Sequence, residues 1–139
     1  FPYTTLFRSN TFKSMIRDLS LDYPDFLIAS SEWFAFIPAK EYFDEPGDHA
    51  DELETSVMMH YHPELVNLDE AGDGNYKKFA SQMLNEKVAW IPRNWQNVSQ
   101  DTGIGNPKKA SAGKGKKYAE AVVAKYALLF EELVHKELY

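Results

Sequence analysis

The chain has 139 residues, a net charge of −6, 44% hydrophobic residues and no cysteine. This length and apolar content suit one folded domain, and the lack of cysteine excludes disulfides and thiolate-bound zinc. The negative charge argues against a nucleic-acid partner, and no apolar run reaches the roughly 20 residues of a membrane span. We therefore expect a soluble, cytoplasmic protein that binds neither nucleic acid nor membrane.

The first nine residues, FPYTTLFRS, have the composition of an edge strand, but they also match a DNA sequence used in the laboratory. Read back into DNA as TTT CCC TAC ACG ACG CTC TTC CGA TCT, they match the end of a common sequencing-library adapter. We expect residues 1–9 to be translated adapter that packs poorly. The natural sequence is then expected to begin near Asn10.

After Asn10, helical spacing of apolar residues predicts a helix that ends at Pro24. Its apolar positions are Phe12, Met15, Ile16 and Leu19. Apolar runs predict a buried strand over residues 26–30 and a further strand over residues 88–93. An acid-rich start predicts a second helix over residues 49–60.

The last segment has the clearest local signal. Asn106 followed by Pro107 is typical of the N-cap and first turn of a long helix. One face of that helix carries Tyr118, Val122, Leu129, Phe130, Leu133 and Val134. Strands alternating with one-sided helices predict an α/β layer fold with a mainly parallel sheet. With only two or three strands, such a sheet keeps unpaired edges, so we expect part of a larger domain.

The densest polar cluster is DHADELETS, residues 48–56. His49 is a candidate general acid/base, and Glu52 or Glu54 is a candidate metal ligand or orienting carboxylate. A loop that leads into a helix is a common place for catalytic groups, although a solvated, acid-rich first turn is the alternative. On one continuous helix Glu54 would lie about 140° around from His49, so the two would occupy different faces.

Three other patterns give weaker signals. His60 and His62 imitate a metal-binding pair on a strand, but they fall at a predicted helix end. The lysine-rich segment 103–117 lacks the first Gly and the Ser or Thr of a phosphate-binding loop. Candidates for a substrate wall, with ordinary core packing as the alternative, are Trp33, Trp90 and Trp95.

Two long segments together resemble the creatininase (creatinine amidohydrolase) family. HADELETSVMMHYHPELV, which starts at His49, is similar to the family's HAGxxETSxML…PxLV segment. Residues 103–123 are similar to its G-x-G-[DN]-P-x-x-A-[ST]-x-x-[KR]-G segment. SNTFKSM resembles the stretch after the family's NGHGGN motif, with Asn10 as the final Asn. The family's Gly in HAG is replaced here by Asp51.

The resemblance implies a three-layer α/β/α hydrolase, of which residues 10–139 would be the C-terminal part, truncated at the N-terminus. It implies two divalent metal ions, zinc, manganese or iron, whose shared hydroxide attacks a small-molecule amide, cyclic amide or formamide. It gives His49 the general acid/base role and Asp48 the role of orienting it. It makes Glu54 a metal ligand or a supporting carboxylate, and it places Trp33 at the substrate.

The family's main metal-binding motifs, E-x-H-G and NGHGGN, do not occur in this sequence. We therefore expect the chain to bind metal only weakly and to be inactive by itself. Family members commonly form homo-oligomers, which we expect of a full-length chain. The alternatives are a non-catalytic binding or scaffold protein with a creatininase-like fold, and a small independent acidic domain with an unrelated role.

Overall fold

The structure is a computed structural model that describes residues 3–135 and 137, with residues 3–11 as backbone only. It divides into two compact units, residues 1–33 and residues 34–139. The α-helices are α1 (Tyr3–Asp22), α2 (Glu52–Tyr61), α3 (Gln82–Asn85), α4 (Trp95–Val98) and α5 (Ala112–His135). Short 3-10 turns lie at Trp33–Ala35, Ala39–Glu41, Pro63–Leu65, Leu68–Glu70 and Pro107–Lys109.

The predicted α/β fold with a mainly parallel sheet is wrong, because the described part of the chain contains no β-strand. The segments predicted as strands are not buried, and Phe26 and Trp90 are 69% and 71% exposed. A strand needs a hydrogen-bonding partner along its edge, and apolar composition does not reveal whether that partner is present. Within the described residues the β pairing amounts to an isolated antiparallel bridge between His49 and Ile104.

Helix α1 makes up most of the first unit. The helix predicted around residues 12–19 is confirmed, and α1 ends at Asp22, two residues before Pro24. The residue before a proline is pushed out of the helical region, which explains the stop. Residues 1 and 2 of the suspected adapter lie outside the described residues, and the backbone from Tyr3 is helical. The adapter origin of residues 1–9 stays a prediction.

The core of the second unit forms around Tyr118, whose side chain is fully buried on α5. Its hydroxyl lies 3.1 Å from the carbonyl oxygen of Phe34 and 3.3 Å from that of Ile37, so the buried O–H has acceptors. The rings of Tyr42 and Phe43 pack edge-on against it, with centroids at 5.4 and 5.3 Å. These contacts attach the segment before the polar cluster to the last helix.

Helix α5 begins later than predicted. Asn106 caps the 3-10 turn Pro107–Lys109, where its side chain accepts from the N–H of Lys108 at 3.0 Å. The α-helix itself starts at Ala112, after Ser111. A proline at the first position suits a 3-10 turn as well as an α-helix, so the Asn106-Pro107 signal did not distinguish the two.

The predicted apolar face of α5 is buried only in its first half. Tyr118 and Val122 are buried, whereas Phe130 and Val134 are 61% and 75% exposed. Helical spacing shows which residues share a face, but burial depends on what packs there. Along the described chain, no helix combines the length and apolar character needed to cross a bilayer.

Candidate functional site

The candidate site forms where residues 47–49 meet residues 103–105. His49 and Ile104 exchange backbone hydrogen bonds of 3.1 and 2.8 Å, and the N–H of Asp48 also donates to the Ile104 carbonyl at 2.7 Å. Gly47 permits this approach, because a Cβ there would lie 2.3 Å from the Ile104 carbonyl oxygen. The two motif segments, far apart in sequence, therefore meet at the loop that carries His49.

Helix α2 begins at Glu52, three residues later than predicted, because Asp51 is its N-cap. The Asp51 carboxylate accepts from the N–H of Glu54 at 2.9 Å and from the N–H of Gly47 at 2.5 Å. Glu54 in turn accepts from the N–H of Ala50 at 2.7 Å, which makes a variant of the capping box. Asp51, where the family has Gly, thus fastens the His49 loop to the start of α2.

His49 and Glu54 are partners, which corrects the prediction that they occupy different faces. The Nδ1 atom of His49 lies 3.4 Å from Oε2 of Glu54. His49 precedes the helix, and the chain turns at Ala50, which has a φ of 49°. The angle of about 140° between His49 and Glu54 assumed an unbroken helix from one to the other, so it does not apply. Two candidates from the sequence are therefore brought together by the loop conformation.

The surroundings of His49 favour its protonated form. The Glu54 carboxylate raises the pKa of His49 above its ordinary value of 6.5, against the opposing effect of burial. Asp48 adds to the rise, and the Arg93 charge opposes it. An imidazole held by a carboxylate at one nitrogen can exchange a proton at the other, which is the requirement for general acid/base chemistry.

Asp48 pairs with Arg93, and its predicted role of orienting His49 stays a prediction. Nη1 of Arg93 lies 3.3 Å from Oδ1 of Asp48, and Nη2 makes a closer contact with Oδ2. The guanidinium also lies 5.5 Å from the centroid of the Trp95 ring. Trp95 packs against the imidazole of His49, with ring centroids 5.5 Å apart. Sequence reasoning considered Trp95 as a wall residue but missed Arg93.

Glu52, the other candidate carboxylate, is fully buried and is bound by groups other than His49. Its Oε1 lies 2.5 Å from Nζ of Lys114, and its Oε2 accepts from the N–H of Glu45 at 2.6 Å. Lys114 also reaches the carboxylate of Asp44 at 2.8 Å. Glu52 therefore anchors the loop before the site.

No group of three or more His, Cys, Asp or Glu side chains that could hold a metal ion occurs among the described residues. His62 lies 3.2 Å from Glu64 at the surface, and His60 packs on Tyr61. The Oε2 of Glu54 already receives the Ala50 N–H and faces His49. The described residues do not by themselves fit the implied metal pair, and the ligand role of Glu54 stays a prediction.

Open cavities adjoin the polar cluster. A cavity of about 460 Å³ is lined in part by Glu54, and one of about 370 Å³ is lined in part by Asp48. Small-molecule sites typically measure about 300–1,000 Å³, so both have room for a small amide. Trp33 belongs to the first unit, and its role at the substrate stays a prediction.

Comparisons with known proteins agree with the two motifs. The sequence profile of the family described as Creatininase: Creatinine amidohydrolase matches residues 1–130. A solved structure from Bacteroides fragilis NCTC 9343, named "putative creatinine amidohydrolase", is 60% identical with a TM-score of 0.86. The match covers 92% of this chain and 51% of that chain, so this chain spans about half of that protein's length. No curated protein matches the chain.

Proposed function

The chain belongs to the creatininase family, and we propose that it forms the acid/base part of an amidohydrolase site. The substrate class is a small amide, cyclic amide or formamide whose non-peptide C–N bond is hydrolysed. The observation that carries the proposal is the contact between His49 and Glu54, 3.4 Å apart, with Glu54 lining an open cavity.

In the proposed mechanism, the Glu54 carboxylate accepts a hydrogen bond from Nδ1–H of His49, and Nε2 is the atom that takes up and releases the proton. His49 in its neutral form takes a proton from water as the water oxygen adds to the substrate carbonyl carbon. The imidazolium then gives that proton to the nitrogen as the C–N bond breaks. Glu54 stabilises the imidazolium between these two steps, as a carboxylate does for the histidine of a hydrolase triad.

The family resemblance supports three further parts of this proposal. The complete activity requires a divalent metal pair of zinc, manganese or iron. It also requires a chain of the length of the Bacteroides fragilis protein, so the 139 residues alone are inactive. That longer chain acts in the cytoplasm as a homo-oligomer.

A chimera tests the proposal. The matching half of the Bacteroides fragilis protein is replaced by residues 10–139 of this chain, and the unmodified protein is assayed beside it. Hydrolysis of creatinine, other cyclic amides and formamides is measured with zinc, manganese and iron(II). We expect turnover of at least one substrate, and a loss of about 10²–10⁴-fold in kcat for His49→Asn.

The matched control is His62→Asn, which alters an exposed histidine outside the cluster and should leave turnover unchanged. Unaltered turnover in the His49 variant would contradict the acid/base role. If the chimera binds an amide without hydrolysing it while the unmodified protein is active, the scaffold alternative is favoured.

A further inference from the structure

The segment that contains Arg93 and Trp95 lies outside both family-like motifs, yet it covers His49. Asp48 and Arg93 are 45 residues apart in sequence, and their side chains form a two-point contact. Trp95 contributes the ring that packs on the imidazole, at an interplanar angle of 59°. His49 is thereby left with a side chain only 20% exposed.

The geometry of Arg93 suits a role in holding other residues in place. A guanidinium fork facing both oxygens of a carboxylate fixes the orientation of the pair more strictly than a lysine does. The same group lies over the indole of Trp95, at a distance where a cation and an aromatic face attract each other. Arg93 therefore contacts the backbone neighbour of His49 and the ring that packs on His49.

We propose that Arg93 is a positioning residue that acts through Asp48 and Trp95 to keep the His49 imidazole against Glu54. Arg93 touches neither the substrate nor the reacting atoms. This inference rests on the proposed function, since the position it maintains is that of the acid/base group. The proposal requires the His49 imidazole to lie beside the Trp95 indole, and this placement can be measured without an enzyme assay.

NMR of the 139-residue chain tests that placement. The ring current of Trp95 should shift the ring-proton resonances of His49. This displacement is measured against the same resonances in the Trp95→Leu variant, at a pH low enough that His49 is fully protonated in both proteins. We expect Arg93→Met to lose most of this displacement and Arg93→Lys to lose it as well, because lysine keeps the charge but not the fork. The matched control, Arg17→Met, removes an arginine of the first unit and should retain the full displacement.

Far-UV circular dichroism verifies that each variant folds. If Arg93→Met does not fold, the more conservative Arg93→Lys carries the test. Full displacement in a folded Arg93→Met or Arg93→Lys protein would overturn the proposal. In the chimera, Arg93→Met should lower kcat about 10–100-fold, as expected for a misplaced catalytic group, with KM changed much less. A fall in kcat with His49 resonances unchanged would also overturn it, whereas an inactive chimera with the expected resonance changes would contradict only the proposed function.

Discussion

Helices α2 and α5 touch through their backbones at Ser56 and Gly115. A Cβ on Gly115 would lie 1.9 Å from the carbonyl oxygen of Ser56. The hydroxyl of Ser56, itself buried, accepts from the N–H of Ser111 at 3.1 Å, just before α5 begins. Because both contacts join the two motif segments, they set the position of the loop over residues 103–105 against His49.

Gly115→Ala should therefore separate the two helices. The added methyl group meets backbone, which cannot rotate away, so we expect a loss of about 1–3 kcal/mol or more in the free energy of unfolding. Gly113→Ala is the control, since a Cβ there meets nothing within 4 Å. It should stabilise the helix by roughly 0.5–1 kcal/mol. Urea unfolding followed by circular dichroism measures both, and equal effects at the two positions would contradict the close packing.

Asp51→Ala should weaken the start of α2. The change removes the acceptor for the N–H groups of Glu54 and Gly47, and loss of an N-cap typically destabilises by about 0.5–2 kcal/mol. The control is Asp69→Ala, an exposed acid in a 3-10 turn, which should stay within about 0.5 kcal/mol of the unaltered protein. Thermal unfolding of the two variants decides the comparison, and a similar small effect for both would argue against capping by Asp51.

Glu52→Gln tests the buried anchor before the site. The neutral amide removes the negative charge opposite Lys114, and hydrogen bonds to charged groups contribute about 1.5–3 kcal/mol. Glu120→Gln is the matched control, because Glu120 lies 3.8 Å from Lys116 on the exposed face of α5. A surface pair of this kind contributes roughly 0–1 kcal/mol. If denaturant unfolding shows the control to be the more destabilised variant, Glu52 is not the anchor.

The pKa of His49 should fall towards 6.5 when Glu54 is replaced by Gln, because the Glu54 carboxylate is the main cause of the raised value. A pKa raised in the folded state means that the folded protein binds the proton more tightly than the unfolded chain. The stability from this pair is fully present below the ordinary value of 6.5, and it is lost as pH rises through the folded value.

An NMR titration of the His49 ring protons gives that pKa directly, and urea unfolding across the same pH range gives the stability. The control is Glu64→Gln, which alters the exposed partner of His62 and should leave the His49 titration unchanged. An unchanged His49 pKa in the Glu54 variant would show that the carboxylate does not bind the imidazole.

Part of the site could be predicted because its signals are local. The polar cluster marked His49 and Glu54 as candidates, and helix-start signals with helical spacing located α2 and α5 to within a few residues. The pairing of His49 with Glu54 was missed, although a signal existed. Asp51 and Glu54 stand three apart, as in a capping box, which indicates that the helix starts after His49.

The predicted sheet failed for the opposite reason, since strand pairing is not a local property. Residues 26–30 and 88–93 have the apolar content of strands, but no described segment pairs with either of them. The contact between Arg93 and Asp48 could not be predicted from the sequence, because an isolated arginine in a loop stands at no characteristic spacing from its partner.

By itself, the sequence determined the family and the acid/base candidates, because both depend on residue types at short, fixed spacing. Only the tertiary structure decided which charges meet: Arg93 with Asp48 across 45 residues, and Lys114 with Glu52 across 62. Such pairs depend on the path of the chain between them, and in this protein the crossing of α2 and α5 fixes that path for Lys114 and Glu52.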